Sequence, residues 1–110
     1  MELEQLQAWE NRFANWWQQR PMEDGAHDLA HFRRVWNCAK YIAGHETERA
    51  DLLTLLTGAY FHDLVSLPKN HPDRSKSSLM SAVQTETLIK TEFTDFPMEL
   101  LNGVKHAIHT

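Results

Sequence analysis

Between positions 52 and 64 the chain carries Leu52, Leu53, Leu55, Leu56, Ala59, Tyr60, Phe61 and Leu64, apolar residues that run nearly all the way round a helix instead of along one stripe. A helix of that kind has to be covered on every side, so the remaining segments must pack around it. Proline and glycine cluster at Pro21 to Gly25, at Pro68 to Pro72 and at Pro97, and the stretches between them read at helical rather than strand period. The expected fold class is all-α, a bundle of about five helices. At 110 residues the chain has room for one domain with a modest core, and residues 1–110 are read as that single domain.

The helices can be placed from their apolar faces and punctuation. Segment 3–19 carries Leu3, Leu6, Trp9, Phe13, Trp16 and Trp17 at i, i+3, i+4 spacing, and Pro21 ends it by disfavouring helix at the residue before. This tryptophan-rich face is expected to cover the core, the other use for it being a dimer surface. A second helix runs from an Asp24 N-cap to about Gly44 and buries Leu29, Phe32, Val35, Trp36, Ala39, Ile42 and Ala43. The all-round apolar helix starts at Thr47 or Glu48 and stops near Ser66, before Pro68. A fourth, from the serines at 75–78 to about Phe93, uses Leu79, Ala82, Val83, Leu88 and Ile89. Pro97 sits in the first turn of a fifth, whose apolar face of Met98, Leu101, Val104, Ala107 and Ile108 still continues when the sequence stops at Thr110 without a capping signal. The domain is therefore expected to continue beyond that point.

Composition removes several classes of function. With 42% hydrophobic and 24% charged residues the chain has the balance of a globular protein, and no apolar run approaches the roughly 20 residues of a membrane span. An acidic N-terminus, Met1-Glu-Leu-Glu-Gln-Leu, and a single cysteine, Cys38, point to a cytoplasmic protein. A formal net charge of −4 argues against binding a nucleic-acid polymer, which normally rests on a basic patch.

Seven histidines then stand out, and of the three groups with telling spacing, His27 with His31, His62 beside Asp63, and His106 with His109, only the middle one is unusual chemically. His62 and Asp63 are adjacent polar residues in the helix that is otherwise apolar all round, about 100° apart about its axis. They are costly to bury without partners. Asp63 falls in the expected last turn, where the macrodipole disfavours negative charge and a cation is called for. A divalent metal would supply it; alternatively, Asp63 pairs with an arginine or lysine while His62 bonds a backbone carbonyl. His27 and His31 lie one helical turn apart, and His31 shares a row with Val35 and Ile42, so it can point inward. The pair lacks the glutamate that follows the first histidine in zinc proteases. After the doublet, Leu67-Pro-Lys-Asn-His-Pro-Asp-Arg-Ser-Lys-Ser-Ser78 sets Lys69, Arg74 and Lys76 against Asp73. This basic loop opens onto a serine-rich helix start suited to an anion such as phosphate.

Taken in order, His27-Asp-Leu-Ala-His-Phe-Arg-Arg-Val35, then Ala59-Tyr-Phe-His-Asp-Leu64, then the basic Pro-Lys loop make the chain from His27 onward resemble the N-terminal half of an HD-domain metal-dependent phosphohydrolase. That resemblance implies an all-helical fold in which His31, His62 and Asp63 are metal ligands, with His62 and Asp63 at the centre of the catalysis. It implies His27 and Asp28 as supports of the ligands, and Arg34 as a phosphate contact or a structural ion pair. Lys69, Arg74, Ser77 and Ser78 are expected to neutralise the substrate's phosphates. His106 and His109 lie on the helix where related proteins place further site residues and could line the pocket. Family members commonly use one more aspartate, on a helix beyond the last one here, and this sequence contains no position for it.

The implied cofactor is a divalent metal, Mn, Mg, Fe, Ni, Co or Zn, among which a mixed histidine and carboxylate set does not choose. The implied substrate is a phosphate ester or anhydride, by family analogy a nucleotide. A different reading from the same fold is an inactive module that senses nucleotides or binds a protein.

Overall fold

A computed structural model describes residues 3–20, 29–43, 51–65, 67 and 70–109. Among them are five α-helices and no strand: α1 (Leu3–Gln18), α2 (Leu29–Ala43), α3 (Leu52–Phe61), α4 (Ser77–Glu92) and α5 (Leu101–His109). Single 3-10 turns, Arg74–Lys76 and Met98–Leu100, lead into α4 and α5.

α3 is the axis of the bundle, in contact with α1, α2, α4 and α5. Leu53, Leu56, Ala59, Tyr60 and Phe61 are buried, and so are Thr57 and Gly58. Thr57 is tolerated there because its hydroxyl donates to the Leu53 carbonyl at 2.7 Å, a bond made within the helix. On the α5 side the backbones come close. A Cβ on Gly58 would stand 3.5 Å from the Ala107 Cβ, and one on Gly103 would stand 3.4 Å from Thr54. α1 covers another flank with aromatic rings. Phe13 meets Phe61 edge to face at 5.0 Å and Phe93 at 5.2 Å, while Trp9 closes on Phe96 at 5.4 Å. Offset and edge-on ring pairs of this kind add to plain burial. The tryptophan-rich helix therefore covers the core, as its periodicity suggests. Its outer edge is held by Arg12, whose guanidinium makes a two-pronged pair with Asp95 at 2.8 and 2.9 Å.

Several boundaries and faces differ from the sequence reading. α3 starts later than Thr47 or Glu48: Asp51 is extended and accepts a bond from the Thr54 N–H at 3.0 Å, the geometry of an N-cap. It also ends earlier than Ser66. Phe61 is its last residue and His62 its C-cap, so the His-Asp doublet lies in a turn just past the helix and not in its last turn. Leu3 at 77% exposure, Leu79 at 46% and Val83 at 51% are outside the core. In α4 the inward face is Ser81, Ala82, Thr85, Leu88 and Ile89. Ser81 turns inward because its hydroxyl accepts from the Val65 N–H at 2.9 Å and donates to the Val65 carbonyl at 3.1 Å, which places Leu79 and Val83 on the flank. The expected Asp24 cap, the Gly44 stop and the side chains of Ile42 and Ala43 lie outside the described residues.

One buried polar atom, Thr85 Oγ1, has no hydrogen-bond partner among the described residues. An unpaired buried hydroxyl costs the free energy of its lost hydration. Thr85→Val keeps the branched shape and removes that cost, so the variant is expected to gain about 1 kcal/mol, read as a higher midpoint in urea. A loss of stability would show that the hydroxyl has a partner in solution.

Candidate metal centre

The end of α3 governs where the doublet goes. A helix leaves its last carbonyls without helical partners, and here each of the final four has a donor. The Gly58 carbonyl accepts from the His62 N–H at 2.9 Å, and the Phe61 carbonyl from the Leu64 N–H at 3.0 Å. His62 Nδ1 stands 2.9 Å from the Ala59 carbonyl, and the Trp17 indole N–H donates to the Tyr60 carbonyl at 3.1 Å. The turn that follows is held from α4 by the two Ser81 bonds to Val65. Asp63 is thus fixed between a clamp before it and a clamp after it.

α2 delivers the third side chain. Phe32, fully buried, sits 6.0 Å from the Tyr60 ring, 5.0 Å from Trp17 and edge-on to His62 at 6.1 Å. It anchors the first turn of α2 on the end of α3 and sets its neighbour His31 beside the doublet, the two imidazoles 5.7 Å apart between centroids. Asp63 Oδ2 lies 3.4 Å from His62 Nε2 and 4.0 Å from His31 Nε2. One ligand atom from each of His31, His62 and Asp63 falls within 4.8 Å of the others, all three residues being half-buried.

The donor chemistry of this group fits a divalent ion. A carbonyl can only accept, so His62 Nδ1 carries the proton that faces Ala59. Its Nε2 is then a lone pair directed toward a carboxylate, and two acceptors at that separation need a proton or a cation between them. The C-terminal end of α3 adds partial negative charge. A proton on Nε2 is favoured there: the hydrogen bond from His62 to Asp63 raises the imidazole pKa above its ordinary value of 6.5, against the opposing effect of burial. Nitrogen and oxygen ligands in one small cluster, one histidine already oriented by a backbone carbonyl, are the composition of a transition-metal site.

The other expected residues are distributed as follows. Arg34 is exposed on α2. Arg74 is exposed and donates to the Leu67 carbonyl at 2.8 Å. The N–H and hydroxyl of Ser77 both go to the Arg74 carbonyl, and Ser78 is half-buried beside it. His27, Asp28 and Lys69 lie outside the described residues. His106 and His109 are exposed on α5 and are not in the His31–His62–Asp63 group, because Leu101, Val104 and Ile108 turn the opposite face of that helix into the core. A surface groove lined by Arg12, Asn15, Trp16, Gln19, Glu92 and Phe93 shares no residue with the cluster. Sequence reasoning did not assign site roles to Trp17 or Ser81. A buried indole N–H and a serine on an inward face both require partners, but neither pattern says which carbonyl they reach.

An all-helical domain with a histidine from one helix and a His-Asp doublet at the end of the next has the layout of a metal-centred helical domain. A model of the HD domain family matches residues 28–109, a span that includes all three clustered residues. The chain belongs to the HD domain family. Comparison with curated proteins and with solved structures finds no match. No helix of the described residues is long and apolar enough to cross a membrane.

A raised imidazole pKa makes a signed prediction for the metal-free protein. The stability His62 contributes is fully present below its unfolded pKa and is lost as pH rises through the higher folded value. An NMR titration of the histidine ring protons should place the His62 midpoint above 6.5 and move it down in Asp63→Asn. Equal midpoints in the two proteins would show that Asp63 does not govern His62.

Proposed function

We propose that this domain is a metal-dependent phosphohydrolase, in which His31, His62 and Asp63 hold a divalent ion and the substrate is a phosphate ester or anhydride of a nucleotide. The observation that carries this reading is the convergence of those three ligand atoms within 4.8 Å in a member of a family whose domains are typically metal-dependent phosphohydrolases.

In this reading His62 binds through Nε2, its ring orientation and tautomer set by the Nδ1–H bond to Ala59. Asp63 supplies the negative charge that two neutral imidazoles lack, and His31 closes the set from α2. The ion itself supplies Lewis acidity, activating water and polarising a phosphoryl oxygen. Half-burial of the three ligands leaves an open side for substrate. Lys69, Arg74 and Arg34, with Ser78 at the start of α4, are the proposed phosphate contacts; Ser77 would join them only by releasing the Arg74 carbonyl, which takes both its N–H and its hydroxyl. The positive charge of Lys69 and Arg74 lies in the segment that follows Asp63, where it would offset the charge of the substrate phosphates. His27 and Asp28 are proposed to support the ligands, and His106 and His109 remain candidates for a pocket wall.

Elemental analysis of the purified protein, beside a His62→Ala, Asp63→Ala double variant, tests the ligand set. Close to one transition metal per chain in the parent and none in the variant is the expected result. Nucleotide hydrolysis in the presence of Mn, Ni or Co should then fall at least 100-fold in Asp63→Ala, whose fold is retained. Absence of metal in the parent after incubation with those ions would refute the ligand assignment. Metal without turnover of any phosphorylated nucleotide would instead favour the inactive sensor or interaction module.

A further inference from the structure

Continuing α3 by two residues would need two bonds, from the Asp63 N–H to the Ala59 carbonyl and from the Leu64 N–H to the Tyr60 carbonyl. Side chains hold both acceptors. His62 Nδ1 is on the first at 2.9 Å and the Trp17 indole on the second at 3.1 Å, and the Leu64 N–H turns back to Phe61 at 3.0 Å. His62 belongs to the ligand set, whereas Trp17 comes from a different helix, α1. We propose that Trp17 is a positioning residue for the metal site: its indole N–H ends α3 at Phe61 and so turns Asp63 toward His62 and His31. The inference rests on the metal-binding reading of those three residues.

The geometry gives the stop its consequence. Successive residues of a helix point about 100° apart, whereas in the observed turn Asp63 Oδ2 and His62 Nε2 converge to 3.4 Å. Local preference runs the other way, since the apolar helical pattern of α3 continues to Leu64. The Tyr60 carbonyl lies in the interior, where it must have a donor. Without the indole, the donor that the chain itself can offer is the Leu64 N–H, which would exchange its bond to Phe61 for one to Tyr60 and extend the helix through the doublet.

Trp17 is well held for this task, buried and packed at 5.0 Å against both Trp16 and Phe32. α1 also grips the same residue by its side chain, because the Tyr60 hydroxyl donates to Glu10 Oε2 at 2.6 Å. The carboxylate and burial together raise the phenol pKa, burial being the larger cause, so that proton stays in place.

Trp17→Phe keeps an aromatic ring and removes the N–H. In the metal-free protein, the Cα chemical shifts of His62, Asp63 and Leu64 should move toward helical values while those of α4 and α5 stay unchanged. Co(II) affinity, followed through its visible absorption, should fall about tenfold or more, the usual effect of removing a support behind a metal ligand. Val104→Ala, a core truncation in α5, is the control for destabilisation alone and should leave Co(II) affinity within about twofold of the parent, well short of that loss.

Should Trp17→Phe fail to fold, benzothienylalanine in place of Trp17 keeps the bicyclic shape without the N–H. It can be introduced by joining a synthetic segment 1–37 at Cys38, the single cysteine. Unchanged shifts with unchanged Co(II) affinity in the folded protein would overturn the proposal. Failure of the parent chain to take up Co(II) would overturn the metal reading and this role with it, while the chemical shifts would still decide whether Trp17 ends α3.

Discussion

The last four carbonyls of α3 are the constraint on which the rest of the site depends. They lie at the end of a buried helix, and each is matched to a donor from a different place: the backbone of His62, the ring of His62, the indole of Trp17 and the backbone of Leu64. Buried carbonyls left unpaired would cost more than the net gain of most single contacts. This pattern therefore fixes where the helix ends, which way the chain turns, and which tautomer His62 adopts. The position of Asp63 follows from all three.

Burial of α3 on every side explains why such an end can be held so firmly. The rings of α1 and the phenylalanines near the end of α4 form one continuous aromatic cluster about Phe13 and Phe61. α5 approaches closely through Gly58 and Gly103, and Lys105 ties it to Glu86 of α4 at 3.3 Å. Dense packing of this kind transmits position poorly through soft modes and well through contacts. A side chain on α1 can accordingly set the geometry of a turn that precedes α4.

Electrostatically, the cluster is arranged for a cation before any cation is bound. A carboxylate, a lone pair on His62 Nε2 and the negative end of α3 converge, which favours a proton on His62. A metal held as proposed would compete with a proton for the same atom. Of the alternative without a metal, the His62 half is observed: His62 bonds the Ala59 carbonyl through one nitrogen and presents the other to Asp63.

Much of the fold is legible in the residues themselves. The existence of the five helices, the all-round burial of α3 and most of the apolar faces of α1 and α5, Leu3 and Met98 excepted, follow from helical period, which is a local property. The grouping of His31 with His62 and Asp63 is legible too, through the family resemblance those residues carry. Tertiary structure decided the end of α3, the inward turn of Ser81 in place of Leu79 and Val83, and the outward placement of His106 and His109. The physical reason is common to these: each depends on which donor reaches which acceptor, or which face meets which neighbour, across segments far apart in the chain. Periodicity states that Trp17 is buried; only the packed bundle brings its N–H to the Tyr60 carbonyl.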